Sequence, residues 1–275
     1  MDVARRVIPP LRAGWVVVDD RPVYHRWCRD APPVHGAVVH VHGFGISGTY
    51  LEPTAALVAE HHPTFVPDLP GMGRSFRPER PLDLPGLARA LVSYCDAVDV
   101  DRATFVGNSL GCPVLVELAT TFPERIERVV LVSPAGGPNN QPLRRALGQM
   151  AADSYREPLS LLPIASRDYL RFGLVSSWRL FQAMIRYDTL AGLHNLVMPT
   201  LVIAGDRDPL VRVDRAGVFA GLPHVRAVKV AGAHALNFSR PDVVAALIEA
   251  HLHDRPLTSA TQRSSNVRAI PIPAS

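Results

Sequence analysis

The chain has 275 residues, enough for one large domain or two small ones, and it is 47% hydrophobic and 20% charged, which is ordinary for a globular protein with a sizeable core. Its net charge of +4 comes from scattered arginines rather than Lys/Arg blocks, so nucleic-acid binding is not indicated. No stretch approaches the ~20 apolar residues that a membrane span needs, and we expect no secretory signal. Three cysteines without C-x-x-C spacing predict free thiols and a cytoplasmic location.

The first part of the chain is predicted to alternate between strands and helices. Two runs of strand formers flank the turn Asp19-Asp20-Arg21-Pro22, which predicts an antiparallel hairpin at a sheet edge. Two buried strands follow with a helix between them, and Asp83 is a candidate cap for the next helix. The expected bounds are 15–18 and 23–27 for the hairpin, 36–41 and 64–67 for the strands, and about 50–60 for the helix between them.

The stretch from Ala103 to Phe122 carries the strongest chemical signal in the sequence. Ala103–Val106 has the pattern of a buried strand, and an apolar helical repeat begins at Leu110. Gly107-x-Ser109-x-Gly111 therefore lies at a strand-to-helix turn, which is the context of a nucleophile elbow. The competing interpretation is a glycine-flanked turn serine that only caps the helix.

The second part of the chain continues the alternation, with one interruption. Strands are predicted at 126–132, 198–204 and 225–230, and a final helix begins at Pro241. This order predicts an α/β fold with a mostly parallel, doubly wound sheet and functional sites beyond the carboxyl ends of its strands. We expect residues 1–135 and 197–252 to form this core, 136–196 to form an inserted helical cap, and 253–275 to be a disordered tail.

A serine hydroxyl needs a base to accept its proton, and the base is usually a histidine oriented by a carboxylate. His234 follows a predicted strand end at Gly232-Ala233, on the expected active-site edge of the sheet. The carboxylate is expected one strand earlier, where both Asp206 and Asp208 are present. The residues by themselves leave the choice between these two open.

Taken together, these motifs resemble the α/β-hydrolase fold superfamily. The resemblance covers about residues 15–252, and it implies the chain order Ser109, then Asp208, then His234, with no cofactor. The family pattern Gly-x-x-Asp selects Asp208 over Asp206. The motifs that carry the resemblance are His42-Gly43, Asp68-Leu69-Pro70-Gly71-Met72-Gly73-Arg74-Ser75, Gly107 to Gly111, Gly205-x-x-Asp208 and Gly232-x-His234.

The remaining site residues follow from the same two loops. The backbone amide of Leu110 points with the serine at the elbow, and the resemblance places the second oxyanion donor at the amide of Phe44. Candidate substrate-pocket residues are His42, Gly43 and Asn108. No metal site is expected, because the H-x-H pair His40 and His42 has no further ligand nearby. His61-His62 is expected at a solvated helix end.

A serine nucleophile, by resemblance, argues against haloalkane dehalogenases and epoxide hydrolases. It favours hydrolysis of a carboxylic ester, lactone or thioester of a small molecule through an acyl-enzyme, with neither nucleic acid nor membrane as partner. The oligomeric state is left open.

Two alternatives also remain open. The first is a carbon–carbon bond hydrolase of ring-fission dienoates, to which Asn108 and a cap with seven arginines against four acidic residues would be suited, although Ala235 stands where those enzymes usually have tryptophan. The second is a non-catalytic ligand-binding protein.

Overall fold

The computed structural model describes residues 11–30, 36–172, 174–213, 219, 221–257 and 267–269. In this part of the chain one sheet contains nine strands, numbered here in chain order. They are β1 (Arg12–Val18), β2 (Arg21–Cys28), β3 (Ala37–Val41), β4 (Thr64–Pro67), β5 (Ala103–Asn108), β6 (Ile126–Val132), β7 (Thr200–Gly205), β8 (Val225–Val230) and β9 (Val267–Ala269).

Helices connect most of these strands. The α-helices are α1 (Glu52–Val58), α2 (Leu84–Ala97), α3 (Gly111–Thr121), α4 (Leu143–Ser154), α5 (Leu162–Phe172), α6 (Leu174–Arg186), α7 (Leu236–Ser239) and α8 (Pro241–Leu252). Short 3₁₀ helices lie at Gly48–Leu51, Pro123–Arg125, Pro138–Asn140, Leu159–Leu161 and Ala191–Asn195. No helix in the described ranges is long and apolar enough to cross a membrane.

The sheet has the order β1-β2-β4-β3-β5-β6-β7-β8-β9 and is mostly parallel. Strands β3 to β8 pair in parallel, whereas the β1–β2 hairpin is antiparallel and lies at an edge. Apolar side chains of β5 alternate between the two faces, with Phe105 in the core under α2 and α3 and Val106 in the core under α1 and α8. The predicted doubly wound α/β sheet, covered on both faces, is therefore confirmed.

The segment after α8 differs from the expectation of a disordered tail. Residues Val267–Ala269 form β9, which pairs antiparallel with β8 and adds a further edge strand. A short, Ser- and Thr-rich sequence gave no periodic signal for it, because three residues cannot display a period and only the neighbouring strand defines their pairing. Residues 253–257 of the expected tail are also described, and Asp254 pairs with Arg128 at 2.7 Å. The other tail residues, 258–266 and 270–275, lie outside the described residues.

The helical segment expected as a cap consists of α4, α5 and α6, between β6 and β7. It is anchored to the core by apolar side chains such as Phe172 and Phe181, which pack with Phe44 from the loop after β3.

The order in which the strands are connected determines where a site can form. The chain runs from β3 to β4 on one side and from β5 to β6 on the other. The loops after β3 and β5 therefore diverge and leave a crevice between them.

Candidate active site

Ser109 lies at the turn between β5 and α3 in the conformation expected of a nucleophile elbow. Its φ angle is +54°, a left-handed backbone that is strained for a serine. The flanking glycines are required by close approach, because a Cβ at Gly107 would lie 2.8 Å from the backbone of Gly111, and one at Gly111 would lie 2.4 Å from the carbonyl oxygen of Val41. The strand, the turn and the helix therefore fix the serine rigidly.

Ser109 lines an open cavity with about 850 Å³ of empty space between the sheet and the cap. Most of the lining is apolar. From the core the lining residues are Gly43, Phe44, Ile46, Tyr50, Asn108, Ser109, Leu210, His234 and Ala235, and from the cap they are Met150, Asp153, Ser154, Glu157, Pro158, Leu161, Leu162, Ala165, Tyr169 and Met184.

Two of the three predicted pocket residues, Gly43 and Asn108, line this cavity. A Cβ at Gly43 would lie 3.2 Å from Cβ of Ser109, so glycine is needed for the two loops to approach each other. Tyr50, which the sequence did not single out, joins them. Its hydroxyl accepts a hydrogen bond from the Gly43 amide at 2.8 Å and donates one to Oδ1 of Asn108 at 2.6 Å. Asn108 also donates from Nδ2 to the carbonyl oxygen of Val132 at 3.0 Å.

His42 was expected in the pocket, and the structure corrects this. It is fully buried and is absent from the described residues that line the cavity. Its Nε2 accepts a hydrogen bond from the Leu69 amide at 2.8 Å, so Nδ1 carries the proton and donates to the Gly43 carbonyl at 2.9 Å. Both ring nitrogens are used, and His42 instead ties the loop after β3 to the loop after β4.

The loop at 68–75 makes structural contacts with the loop after β3. Oδ1 of the buried Asp68 accepts hydrogen bonds from the Arg26 guanidinium at 2.6 Å and the Gly48 amide at 2.8 Å. Its Oδ2 accepts one from the Arg74 amide at 2.9 Å. The carboxylate, which is not among the described residues that line the cavity, therefore holds the glycine-rich loop after β3 in place.

His234 and Asp208 are directly hydrogen-bonded. Nδ1 of His234 lies 2.7 Å from Oδ2 of Asp208, and Oδ1 of Asp208 accepts from the Leu210 amide at 2.8 Å. Burial would raise the pKa of the Asp208 carboxyl, but the imidazole and the amide lower it, so the carboxylate stays ionised. Asp206 has a different partner, since its Oδ1 accepts from the Gly232 amide at 3.0 Å.

The two amides expected to bind an oxyanion, those of Phe44 and Leu110, belong to the loops on either side of the crevice. Phe44 lines the cavity, and Leu110 follows Ser109 directly. Within the described residues neither amide donates a hydrogen bond to another protein group. Both are therefore available to an acceptor on a bound molecule, and their role stays a prediction.

A family model for the alpha/beta hydrolase family matches residues 38–247, which is most of the chain. This chain belongs to the alpha/beta hydrolase family. It is 27% identical over 239 residues to esterase YbfF from Escherichia coli, covering 79% of this chain and 93% of YbfF. It is 29% identical over 203 residues to a poly(3-hydroxyalkanoate) depolymerase from Ectopseudomonas oleovorans, covering 66% of this chain and 71% of that one.

Solved structures give the same result for the fold. A hydrolase from Pseudomonas aeruginosa superposes with a TM-score of 0.70 at 25% identity, covering 88% of this chain and 98% of that one. The enol-lactonase from Burkholderia xenovorans superposes with a TM-score of 0.71 at 22% identity, covering 87% of this chain and all of that one. The chain is thus a hydrolase of this family, and the reaction has to be inferred from its own cavity.

Two carboxylates of the cap in this alpha/beta hydrolase contact the loop that carries His234, and the sequence did not single them out. Oδ1 of Asp153, near the end of α4, accepts from the His234 amide at 3.2 Å. Oε1 of Glu157, one turn further on, accepts from the Ala235 amide at 2.6 Å. Both side chains line the cavity, and burial raises the pKa of each. In the sequence they were visible only as cap charges, because nothing local indicates that α4 reaches the loop after β8.

The arginines of the cap face away from the cavity of this hydrolase. Six of the seven are exposed, and the remaining one, Arg167, pairs with Asp168 at 2.9 Å. Among the described residues that line the cavity there is neither an arginine nor a lysine. The cap is therefore basic on its outer surface. Apart from His234, the charged side chains in the described cavity wall are the two carboxylates, Asp153 and Glu157.

Proposed function

We propose that this protein is a serine hydrolase that cleaves a carboxylic ester, lactone or thioester of a small molecule through an acyl-enzyme on Ser109. The observation that carries the proposal is that His234, already hydrogen-bonded to Asp208, lines the same cavity as a serine held at a strained elbow. Hydroxyl, imidazole and carboxylate are the three groups needed to activate a serine for acyl transfer. The family membership and the similarity to esterase YbfF agree with this reaction.

In the proposed reaction the oxygen of Ser109 attacks the carbonyl carbon and His234 takes the hydroxyl proton. Asp208 holds the imidazole with Nδ1 protonated and stabilises the imidazolium. The amides of Phe44 and Leu110 bind the oxyanion, and His234 returns its proton to the leaving oxygen or sulfur atom. A water molecule, deprotonated by His234, then attacks the carbonyl carbon of the acyl-enzyme. The bond from that carbon to the Ser109 oxygen breaks, His234 returns the proton to this oxygen, and the acid is released.

The charge of the cavity restricts the substrate. Asp153 and Glu157 are negative when ionised, the described lining residues include neither an arginine nor a lysine, and most of the remaining wall is apolar. Since His234 must be neutral to act as the base, a carboxylate-bearing substrate would be repelled and would lose its hydration without gaining a cationic partner. We therefore infer a neutral, largely apolar ester. The carbon–carbon bond hydrolase alternative needs a carboxylate-binding arginine, for which the described cavity offers no residue.

Ester hydrolysis and charge selection are tested together with p-nitrophenyl esters of matched length that carry a terminal methyl, ammonium or carboxylate group. We expect the methyl ester to be hydrolysed, and kcat/KM for the carboxylate ester to be at least about tenfold lower, because a like charge close to a partly buried carboxylate costs about 1.4 kcal/mol or more. Faster turnover of the carboxylate ester, or of a ring-fission dienoate, would contradict the charge argument. Absence of turnover across an extended ester, lactone and thioester panel would contradict the proposed function itself.

The acidic surroundings of His234 also predict an alkaline activity profile. Burial lowers the pKa of the imidazole, but Asp208, Asp153 and Glu157 outweigh it and raise the pKa to about 9. A general base must be neutral, so kcat/KM should rise with pH up to about 9. In the double variant Asp153→Asn/Glu157→Gln, which keeps an oxygen acceptor for each amide, fewer charges stabilise the imidazolium and the profile should move to lower pH.

The profile is measured as kcat/KM against pH for the wild type and the double variant. Each unit by which the pKa falls gives about a tenfold larger neutral fraction at pH 7. Glu124→Gln removes an exposed carboxylate outside the cavity and serves as the control, with no shift expected. Equal profiles in all three proteins would show that the cap carboxylates do not act on the imidazole.

A further inference from the structure

Three side chains from two distant segments meet at the end of α8. His62 lies in the turn after α1, and Glu249 lies on α8. His253 directly follows the last residue of α8 and is four residues, about one helical turn, after Glu249. Nε2 of His62 is 3.0 Å from Oε1 of Glu249, and Nε2 of His253 is 3.4 Å from Oε2 of the same carboxylate. One potential ligand atom from each residue lies within 4.8 Å of the other two.

The surroundings of this group differ from the sequence expectation. His61-His62 was expected at a solvated helix end, but the side chain of His62 is fully buried. The side chains of Glu249 and His253 are each 21% exposed, so the group is open to solvent on one side only.

We propose that His62, Glu249 and His253 form a binding site for a divalent transition-metal ion, with Zn²⁺ as the best fit. Imidazole nitrogen suits Zn²⁺, Cu²⁺ and Ni²⁺, whereas Mg²⁺ and Ca²⁺ prefer sites built from oxygen atoms alone. Two imidazoles and one carboxylate are also a donor set that Zn²⁺ uses in proteins, with solvent completing a tetrahedron.

The distances between the donor atoms agree with one shared ion. Zn–N and Zn–O bonds of roughly 2.0–2.2 Å place neighbouring ligands of a tetrahedron about 3.3–3.5 Å apart. The two His–Glu separations of 3.0 and 3.4 Å, measured to different oxygens of the carboxylate, are close to this value, and one donor atom from each of the three residues lies within 4.8 Å of the other two. Glu249 and His253 are four residues apart at the end of one helix and lie on the same face, which fixes one side of the site.

A bound ion would connect the end of α8 to the turn between α1 and β4. These helices pack together on one face of the sheet, and none of the three ligands belongs to the described lining of the active-site cavity. The site is therefore structural in this proposal. It stabilises the folded chain because the three donors are brought together only in the folded state.

The test uses the untagged full-length chain after treatment with EDTA. Isothermal titration with ZnCl₂ is expected to give one saturable site per chain, and the Tm should rise with Zn²⁺ concentration but not with Mg²⁺. Co²⁺ should give the visible absorption of a tetrahedral or five-coordinate ion. His253→Ala and Glu249→Gln each remove one ligand and should weaken Zn²⁺ binding by at least about tenfold.

His194→Ala, which removes an exposed histidine of the cap, is the matched control and should bind Zn²⁺ as the wild type does. Far-UV circular dichroism and the Tm without metal establish that each variant is folded. The proposal is overturned if the wild type shows no saturable binding, or if folded His253→Ala and Glu249→Gln bind Zn²⁺ as tightly as the wild type. Neither result depends on ester hydrolysis.

Discussion

Replacing Ser109 by alanine is expected to lower kcat for a neutral p-nitrophenyl ester by about 10⁴- to 10⁶-fold. The alanine has no oxygen to form the acyl-enzyme, so any remaining turnover must use water directly. The left-handed backbone at this position is held by close packing of Gly107 and Gly111, and it does not depend on the serine hydroxyl. The loss should therefore appear in catalysis, with little change in Tm.

A fluorophosphonate probe gives an independent readout of the same residue, because only an activated serine is labelled. The wild type should be labelled at Ser109 and the Ser109→Ala variant should not. Ser154 also lines the cavity, so Ser154→Ala is the matched control and should keep both label and turnover. An unlabelled, folded wild type would favour the non-catalytic alternative, and full turnover by Ser109→Ala would remove the serine from the reaction.

Asp208→Asn is expected to lower kcat by about 10⁴-fold at neutral pH. An amide in place of the carboxylate oxygen 2.7 Å from Nδ1 either favours the imidazole tautomer with its proton on Nε2 or fails to stabilise the imidazolium. In both cases His234 can no longer accept the serine proton effectively. The variant keeps the size of the side chain, and an amide oxygen can still accept from the Leu210 amide.

Asp206→Asn is the matched control, since Asp206 lies two residues away and is hydrogen-bonded to the Gly232 amide instead of to His234. We expect its kcat to remain within about tenfold of the wild type. The measurement is kcat and kcat/KM for both variants with one ester, together with the Tm. A larger loss in Asp206→Asn than in Asp208→Asn would show that the carboxylate has been assigned to the wrong residue.

The proposed chemistry depends on the cap as well as on the core. Asp153 and Glu157 accept hydrogen bonds from consecutive backbone amides, those of His234 and Ala235, and so attach the end of α4 to the loop that carries the imidazole. The same carboxylates make one wall of the cavity negative. The two carboxylates at the end of α4 therefore act on three properties of the site. They hold the His234 loop, raise the pKa of the imidazole and select against a negatively charged substrate.

Local patterns in the sequence were sufficient for the fold and for the elbow. Strand and helix periods predicted the alternation of elements, and the glycines around Ser109 predicted the tight turn, because steric contact between neighbouring residues determines both. The choice of Asp208 over Asp206 came from the family resemblance. In the structure it is Asp208 that lies against His234, since the turn after β7 directs the two side chains to different partners.

Other features were decided by the tertiary structure alone. Three contacts join segments that are distant along the chain. They are the hydrogen bond of His42 with the Leu69 amide, those of Asp153 and Glu157 with the His234 loop, and the pairing of His62 with Glu249 on α8. A sequence period reports only which face of an element is apolar. It does not report which other element packs on that face, so the charge and shape of the cavity could only be seen once the cap was placed over the sheet.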